Sequence, residues 1–185
     1  MKTILVTGGI ASGKSTVCAR LKRLGWPVYD SDSRTKALYD SVPGLRERVE
    51  RAIGRPFSEI GIIFEDERAR AALEAVVYPE VLRDFLAWRE SLPKSLPAVV
   101  FESAVALDKP QFDGLFDEVW LVTAPLEQRL ARNPKSAQRL AAQPEIDPAR
   151  VQRILCNDRS PRTLQRRTDA LVQALLQENT NTDEI

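Results

Sequence analysis

The sequence contains no histidine. Imidazole acid–base chemistry and histidine-ligated metal sites are therefore excluded. Cysteine is almost as scarce: Cys18 and Cys156 stand far apart, each beside an apolar stretch. That usage carries no disulfide framework and predicts buried, reduced thiols in a cytosolic protein. No apolar run comes near the roughly 18 residues a membrane span needs. The first apolar run reads as a strand rather than a signal peptide, so a cytoplasmic location is expected. An excess of one charge is missing too, with 27 Lys+Arg against 26 Asp+Glu. A balance of that kind gives no general electrostatic case for nucleic acid. No internal repeat is visible. What is present, 185 residues of which 43% are hydrophobic, suffices for one sizeable domain with a small insertion.

One short segment carries most of the chemistry. Gly8 to Ser15 reads Gly-x-x-x-x-Gly-Lys-Ser, a pattern whose backbone amides cradle nucleotide phosphates. "KTILV" before it is a short β-branched and aliphatic run, as expected of a buried strand in a parallel sheet. Gly8 and Gly13 let the backbone turn tightly and approach an anion. Val17, Leu21 and Leu24 then recur at helical spacing, and Gly25 follows as a C-cap. The phosphate thus meets a helix N-terminus, where orphan N–H groups and the helix dipole favour negative charge. In such a loop Lys14 reaches the β/γ-phosphates and Ser15 ligates Mg²⁺.

Further along, "WPVYDSDS" predicts a short strand ending in a polar turn. "SRTKALYD" and "GLRERVERAIG" predict helices, with "RPFSEIG" a loop after them. The stretch from Glu65 to Leu92 predicts a long helix broken or kinked at Pro79. "AVVFES" and "EVWLVTA" read as buried strands, and Glu102 stands at the end of the first. "PLEQRLAR" starts a helix on a proline, "RILC" is a candidate last strand, and "PRTLQRRTDALVQALLQ" is a C-terminal helix with a frayed tail. Strands alternating with helices predict an α/β fold, a parallel sheet flanked by helices. Residues 1–185 form a single domain in this reading, with 35–90 an inserted helical lobe that would hold a second substrate. Ligands in such sheets bind beyond the carboxyl ends of the strands. The glycine loop, Asp30, Asp32 and Glu102 all follow strands at that edge.

From Leu126 to Ala170 there are ten Lys/Arg against five Asp/Glu. Beside a phosphate loop, that local excess suggests a basic lid, placed at residues 129–143. Two functional classes then compete. A GTP-driven switch needs Asn-Lys-x-Asp after a strand, and "NPKS" at Asn133 lacks it. A small-molecule kinase needs an acceptor lobe, a carboxylate near the acceptor hydroxyl and lid arginines, and each has a candidate here. A nucleotide-binding regulatory module without turnover is the third reading.

The order "TGGIASGKST", "LGWPVYDSD", "LEAVVYPEV", "FESAVALD", "VWLVTAPLEQRL", "RLAAQ" and "CND" resembles the dephospho-CoA kinase family. The resemblance runs from Lys2 to about Asn157. Its most specific part is the Thr-Gly-Gly-Ile opening joined to an Asp-x-Asp downstream. It implies a P-loop kinase that moves the γ-phosphate of ATP, with Mg²⁺, to the ribose 3′-hydroxyl of dephospho-CoA. It also implies Asp32 as the catalytic carboxylate, with Asp30 in support or in the metal shell. Thr7 would contact substrate or position Asp32. Gly8 and the segment Ala11, Ser12, Gly13, Lys14, Ser15 and Thr16 would bind ATP. Arg129 and Arg132 fall where the family has lid arginines, Arg139 and Gln143 fit its Arg-x-x-x-Gln, and Asn157 falls near the adenine. Tyr78 and Glu102 are further substrate-side candidates. Three departures stand out. Tyr78-Pro79 replaces the usual His-Pro, "FESAVALD" replaces Pro-Leu-Leu-x-Glu, and both lobe and lid are shortened. The nearest alternatives are kinases of nucleoside monophosphates, shikimate or gluconate. Oligomeric state is left open, and no nucleic-acid or membrane partner is expected.

Overall fold

The computed structural model describes residues 1–134 and 146–182. The chain divides into two compact units, Met1–Tyr29 with Lys94–Ile185, and Asp30–Pro93.

The first unit is organised by a five-stranded parallel sheet, in the order β2-β3-β1-β4-β5. Its strands are β1 (Lys2–Thr7), β2 (Val28–Asp30), β3 (Ala98–Glu102), β4 (Glu118–Thr123) and β5 (Arg153–Cys156). β1 is central, with Lys2 opposite Ala98 on β3 and Ile4 opposite Glu118 on β4. Helices α1 (Lys14–Arg23) and α6 (Pro161–Thr182) pack together. Between them and the sheet lie Ile4, Val6, Val17, Leu21, Val100, Trp120, Leu164 and Leu175, in one buried cluster. Trp26 and Trp120 meet there, ring centroids 6.1 Å apart. α5 (Leu126–Arg132) follows β4. Because β1 is the middle strand, the loop at its end leaves the centre of the sheet.

The expected frayed tail begins too early: α6 continues to Thr182. Arg153 explains part of this, since its guanidinium grips Glu178 at 2.6 and 2.7 Å and fastens that turn to β5. The expectation of two buried thiols is also corrected. Cys18 is buried inside α1, whereas Cys156 is exposed. β5 is an edge strand with one core-facing residue, Leu155, so its neighbours Ile154 and Cys156 turn outward. Burial and the nearby Glu102 carboxylate push the Cys18 thiol far above its usual range, which suppresses the reactive thiolate. A thiol reagent is therefore expected to modify one group per native chain, and a second only after denaturant is added. Simultaneous modification of both in the native protein would contradict this packing.

The second unit is helical, with α2 (Ser31–Ser41), α3 (Leu45–Ile53) and α4 (Glu67–Glu90) packed on one another. Two expectations change. "RPFSEIG" is not a plain loop, because a 3₁₀ stretch spans Phe57–Phe64. Its start is fixed by Glu50, which accepts the Phe57 N–H at 2.7 Å, and by Arg46 stacked over the Phe57 ring. Nor does Pro79 break the long helix, for α4 runs through it. An interior proline removes a backbone donor, but tertiary packing supplies most helical stability. Here Val77 and Val81 are buried on either side of Pro79. The buried Glu80 beside it pairs with Arg48 at 2.8 Å and with Arg83.

Candidate active site

The turn from β1 into α1 is shaped by what a side chain would hit. At Gly8, with φ +137°, a Cβ would lie 2.2 Å from the Val122 carbonyl oxygen. At Gly13, with φ +111°, it would lie 2.4 Å from Asn157 Nδ2. Both positions thus require glycine on steric and conformational grounds. Ala11 between them is the one non-glycine residue with positive φ among those described, at 59°. Backbone strain of this kind collects at ligand-binding turns. α1 then begins with no side-chain cap and no acidic residue in its first turn. Its positive end is left for an outside anion.

The expected loop side chains are gathered here. Lys14 Nζ donates to the Gly8 and Gly9 carbonyls at 2.9 and 3.3 Å. Ser15 Oγ donates to Glu102 Oε1 at 3.2 Å, so the end of β3 meets the start of α1. Arg129 Nε donates to the Ile10 carbonyl at 2.9 Å. Arg132 donates to the Ala11 carbonyl at 3.1 Å and to the Asn157 carbonyl at 3.3 Å. Asn157 Nδ2 donates to the Ser12 carbonyl at 2.8 Å. Thr16 continues α1 behind them. Thr7 is fully buried at the end of β1, and its hydroxyl and that of Ser12 have no hydrogen-bond partner among the described residues.

Sequence reading overlooked two supporting residues. Gln128 accepts from Arg132 at 2.9 Å and orients it; the i,i+4 spacing on one helix face was the available signal. Cys18 lies under Glu102, one turn beyond Ser15 on α1. Of the lid at 129–143, Arg139 and Gln143 lie outside the described residues.

In the second unit, Asp30 is the N-cap of α2. Its carboxylate accepts the backbone N–H groups of Asp32 and Ser33, each at 3.2 Å, and the Ser33 hydroxyl at 2.8 Å. Asp32 is exposed in the first helical turn. Tyr78 on α4 donates to Glu74 at 3.2 Å. Its phenol is pushed well up, first by burial, then by the charges of Glu74 and Asp32. Tyr78 therefore stays a neutral donor at any physiological pH. Glu74 was not singled out from sequence, although it sits four residues before Tyr78 on the same helix face.

Among the described residues no cluster of three or more His, Cys, Asp or Glu could hold a metal unaided. A Mg²⁺ ion shared with substrate phosphates needs few protein ligands. Ser15 suits the task. With its proton directed to Glu102, the hydroxyl oxygen keeps its lone pairs for a hard cation.

A central parallel strand running into this loop, with two arginines from a neighbouring helix on its carbonyls, defines a P-loop kinase. The family model for dephospho-CoA kinase matches residues 2–174. The chain belongs to the dephospho-CoA kinase family. It is 40% identical over 151 residues to a dephospho-CoA kinase of Porphyromonas gingivalis, covering 75% of this chain and 73% of that one. It is 33% identical to the dephospho-CoA kinase of Geobacter sulfurreducens, over 92% of this chain and 97% of the relative. A crystal structure from Thermus thermophilus superposes with a TM-score of 0.73 at 31% identity, over 94% and 97% of the two chains. No helix among the described residues is long and apolar enough to cross a membrane.

Proposed function

We propose that this protein transfers the γ-phosphate of ATP to the ribose 3′-hydroxyl of dephospho-CoA, the last step of coenzyme A synthesis, in the cytoplasm and with Mg²⁺. The observation that carries the reading is the glycine loop with Lys14, Arg129 and Arg132 all laid against it, in a chain matched by the family model from residue 2 to 174.

Phosphoryl transfer asks a protein mainly for positioning and charge stabilisation. Gly8 and the amides from Ala11 to Thr16 receive the phosphates of ATP. Lys14 turns from the Gly8 and Gly9 carbonyls to the β/γ-phosphates. Arg129 and Arg132 turn from the loop carbonyls to the charge that develops on the transferred group. Ser15, backed by Glu102, would hold Mg²⁺, and the ion would supply positive charge against the phosphates. Asp32 accepts the proton of the attacking hydroxyl, and Asp30 fixes the helix turn that presents it. Tyr78, its single proton given to Glu74, offers its phenol oxygen as a hydrogen-bond acceptor on the acceptor side. The lobe of residues 35–90 holds that acceptor.

The product tests the proposal. Incubation with ATP, Mg²⁺ and dephospho-CoA is expected to give coenzyme A, identified by chromatography and mass, in step with ADP. Release of ADP and inorganic phosphate with dephospho-CoA unchanged would overturn it.

A further inference from the structure

Five consecutive carbonyls of the loop, from Gly8 to Ser12, each accept a hydrogen bond from a side chain. Lys14 takes the first two, Arg129 the third and Arg132 the fourth. The fifth, on Ser12, is held by Asn157. Four of the five therefore depend on cations, which the phosphates of a nucleotide attract. The amide of Asn157 carries no charge.

We propose that Asn157 is a positioning residue, the permanent anchor that keeps the loop in shape when nucleotide draws its cations away. The inference rests on the loop being the nucleotide site and adds a role for Asn157 other than adenine contact.

The peptide plane explains how. The Ser12 carbonyl and the Gly13 N–H share one planar trans peptide and point in opposite directions. Holding the carbonyl from behind fixes the direction of that N–H, at the end of the loop where α1 begins. Asn157 is itself well held. It stands one residue past β5, and its backbone N–H donates to the carbonyl of Thr123, the last residue of β4, at 2.7 Å, a bond that no nucleotide phosphate competes for. The side chain is buried and lies where a Gly13 Cβ would be, so the absent Cβ is what admits it. With Nδ2 given to Ser12, the side chain faces the loop backbone.

Calorimetric binding of MgADP, MgGDP and inorganic tripolyphosphate, which has no base, separates the possibilities. The variants are Asn157→Ala and Asn157→Leu, the second similar in size but without a donor. Both are expected to weaken ADP and tripolyphosphate by the same factor, about tenfold. The ADP-to-GDP preference is expected to stay as in the wild type. Weakened ADP with unchanged tripolyphosphate would place Asn157 on the base and overturn the proposal. So would wild-type affinity in Asn157→Leu, which would make the role one of packing. Unchanged affinity alongside a lowered melting temperature in Asn157→Ala would reduce it to stability alone. If Leu does not fold beside Gly13, Asn157→Ala decides between these outcomes with its melting curve. A wild-type protein that binds neither nucleotide nor tripolyphosphate would overturn the nucleotide-loop reading itself, and the anchor with it.

Discussion

Asp32→Asn is expected to lower turnover with dephospho-CoA by roughly 10²–10⁴, the usual contribution of a positioned acid–base group. The amide has the shape of the carboxylate but cannot accept the hydroxyl proton. The fold should survive, because the cap of α2 is made by Asp30 and not by Asp32. Asp32 contributes only its backbone N–H to that cap, and the substitution leaves the backbone group in place. ATP affinity should hardly change, since the loop and Lys14 supply it. Asp30→Asn is the control. Asn also caps helices well, so the turn persists, and a smaller loss of rate is expected if Asp30 serves only as support. Steady-state rates and ATP titrations on both variants decide the matter. A dead Asp30→Asn beside an active Asp32→Asn would reverse the two roles. Two active variants would reduce the pair to a helix cap.

Lys14→Ala is expected to cost about 10²–10³ in turnover, the scale for removing one preorganised charge from a transition state. The effect has two parts. The ammonium that would meet the β/γ-phosphates is lost, and so are the donors on the Gly8 and Gly9 carbonyls. Gly8 is buried and Gly9 half-buried, but the change is confined to one turn and leaves the core between sheet and helices untouched, so the fold should persist. Circular dichroism and melting should stay near wild type while ATP binding and rate both fall. Wild-type turnover in this variant would remove the loop from the mechanism.

The loop and the strands around it were legible because their signals are local. Four fixed positions in Gly8–Ser15, an apolar run before them and a 3.6-residue period after them act within about twenty residues of chain. Asp30 and Asp32 were both named, Asp32 as the catalytic carboxylate and Asp30 in support, but which of them caps α2 was not. Either residue satisfies the preference for a capping oxygen, and only the backbone path chooses. Arg129 and Arg132 were singled out by the basic excess after Leu126 and by their match to the family's lid arginines. That they rest on the Ile10 and Ala11 carbonyls depends on β4 lying beside β1, a pairing of residues more than a hundred positions apart. Cys156 illustrates the same limit. Its neighbour Leu155 is core, and only the place of β5 at the sheet edge turns Cys156 outward. Pro79 was read as a break or a kink because propensity is local; the break does not occur, and Val77, Glu80 and Val81 are buried around it, with Glu80 paired to Arg48.

The central claim is the identity of the acceptor, and a panel of acceptors tests it most directly. ADP release would be followed by a coupled assay with ATP and Mg²⁺, adding dephospho-CoA, a nucleoside monophosphate, shikimate or gluconate in turn. The expected result is acceptor-dependent ADP release with dephospho-CoA at a rate far above the others, and little release without an acceptor. Equal or greater release with one of the other three acceptors, or none with dephospho-CoA, would contradict the assignment.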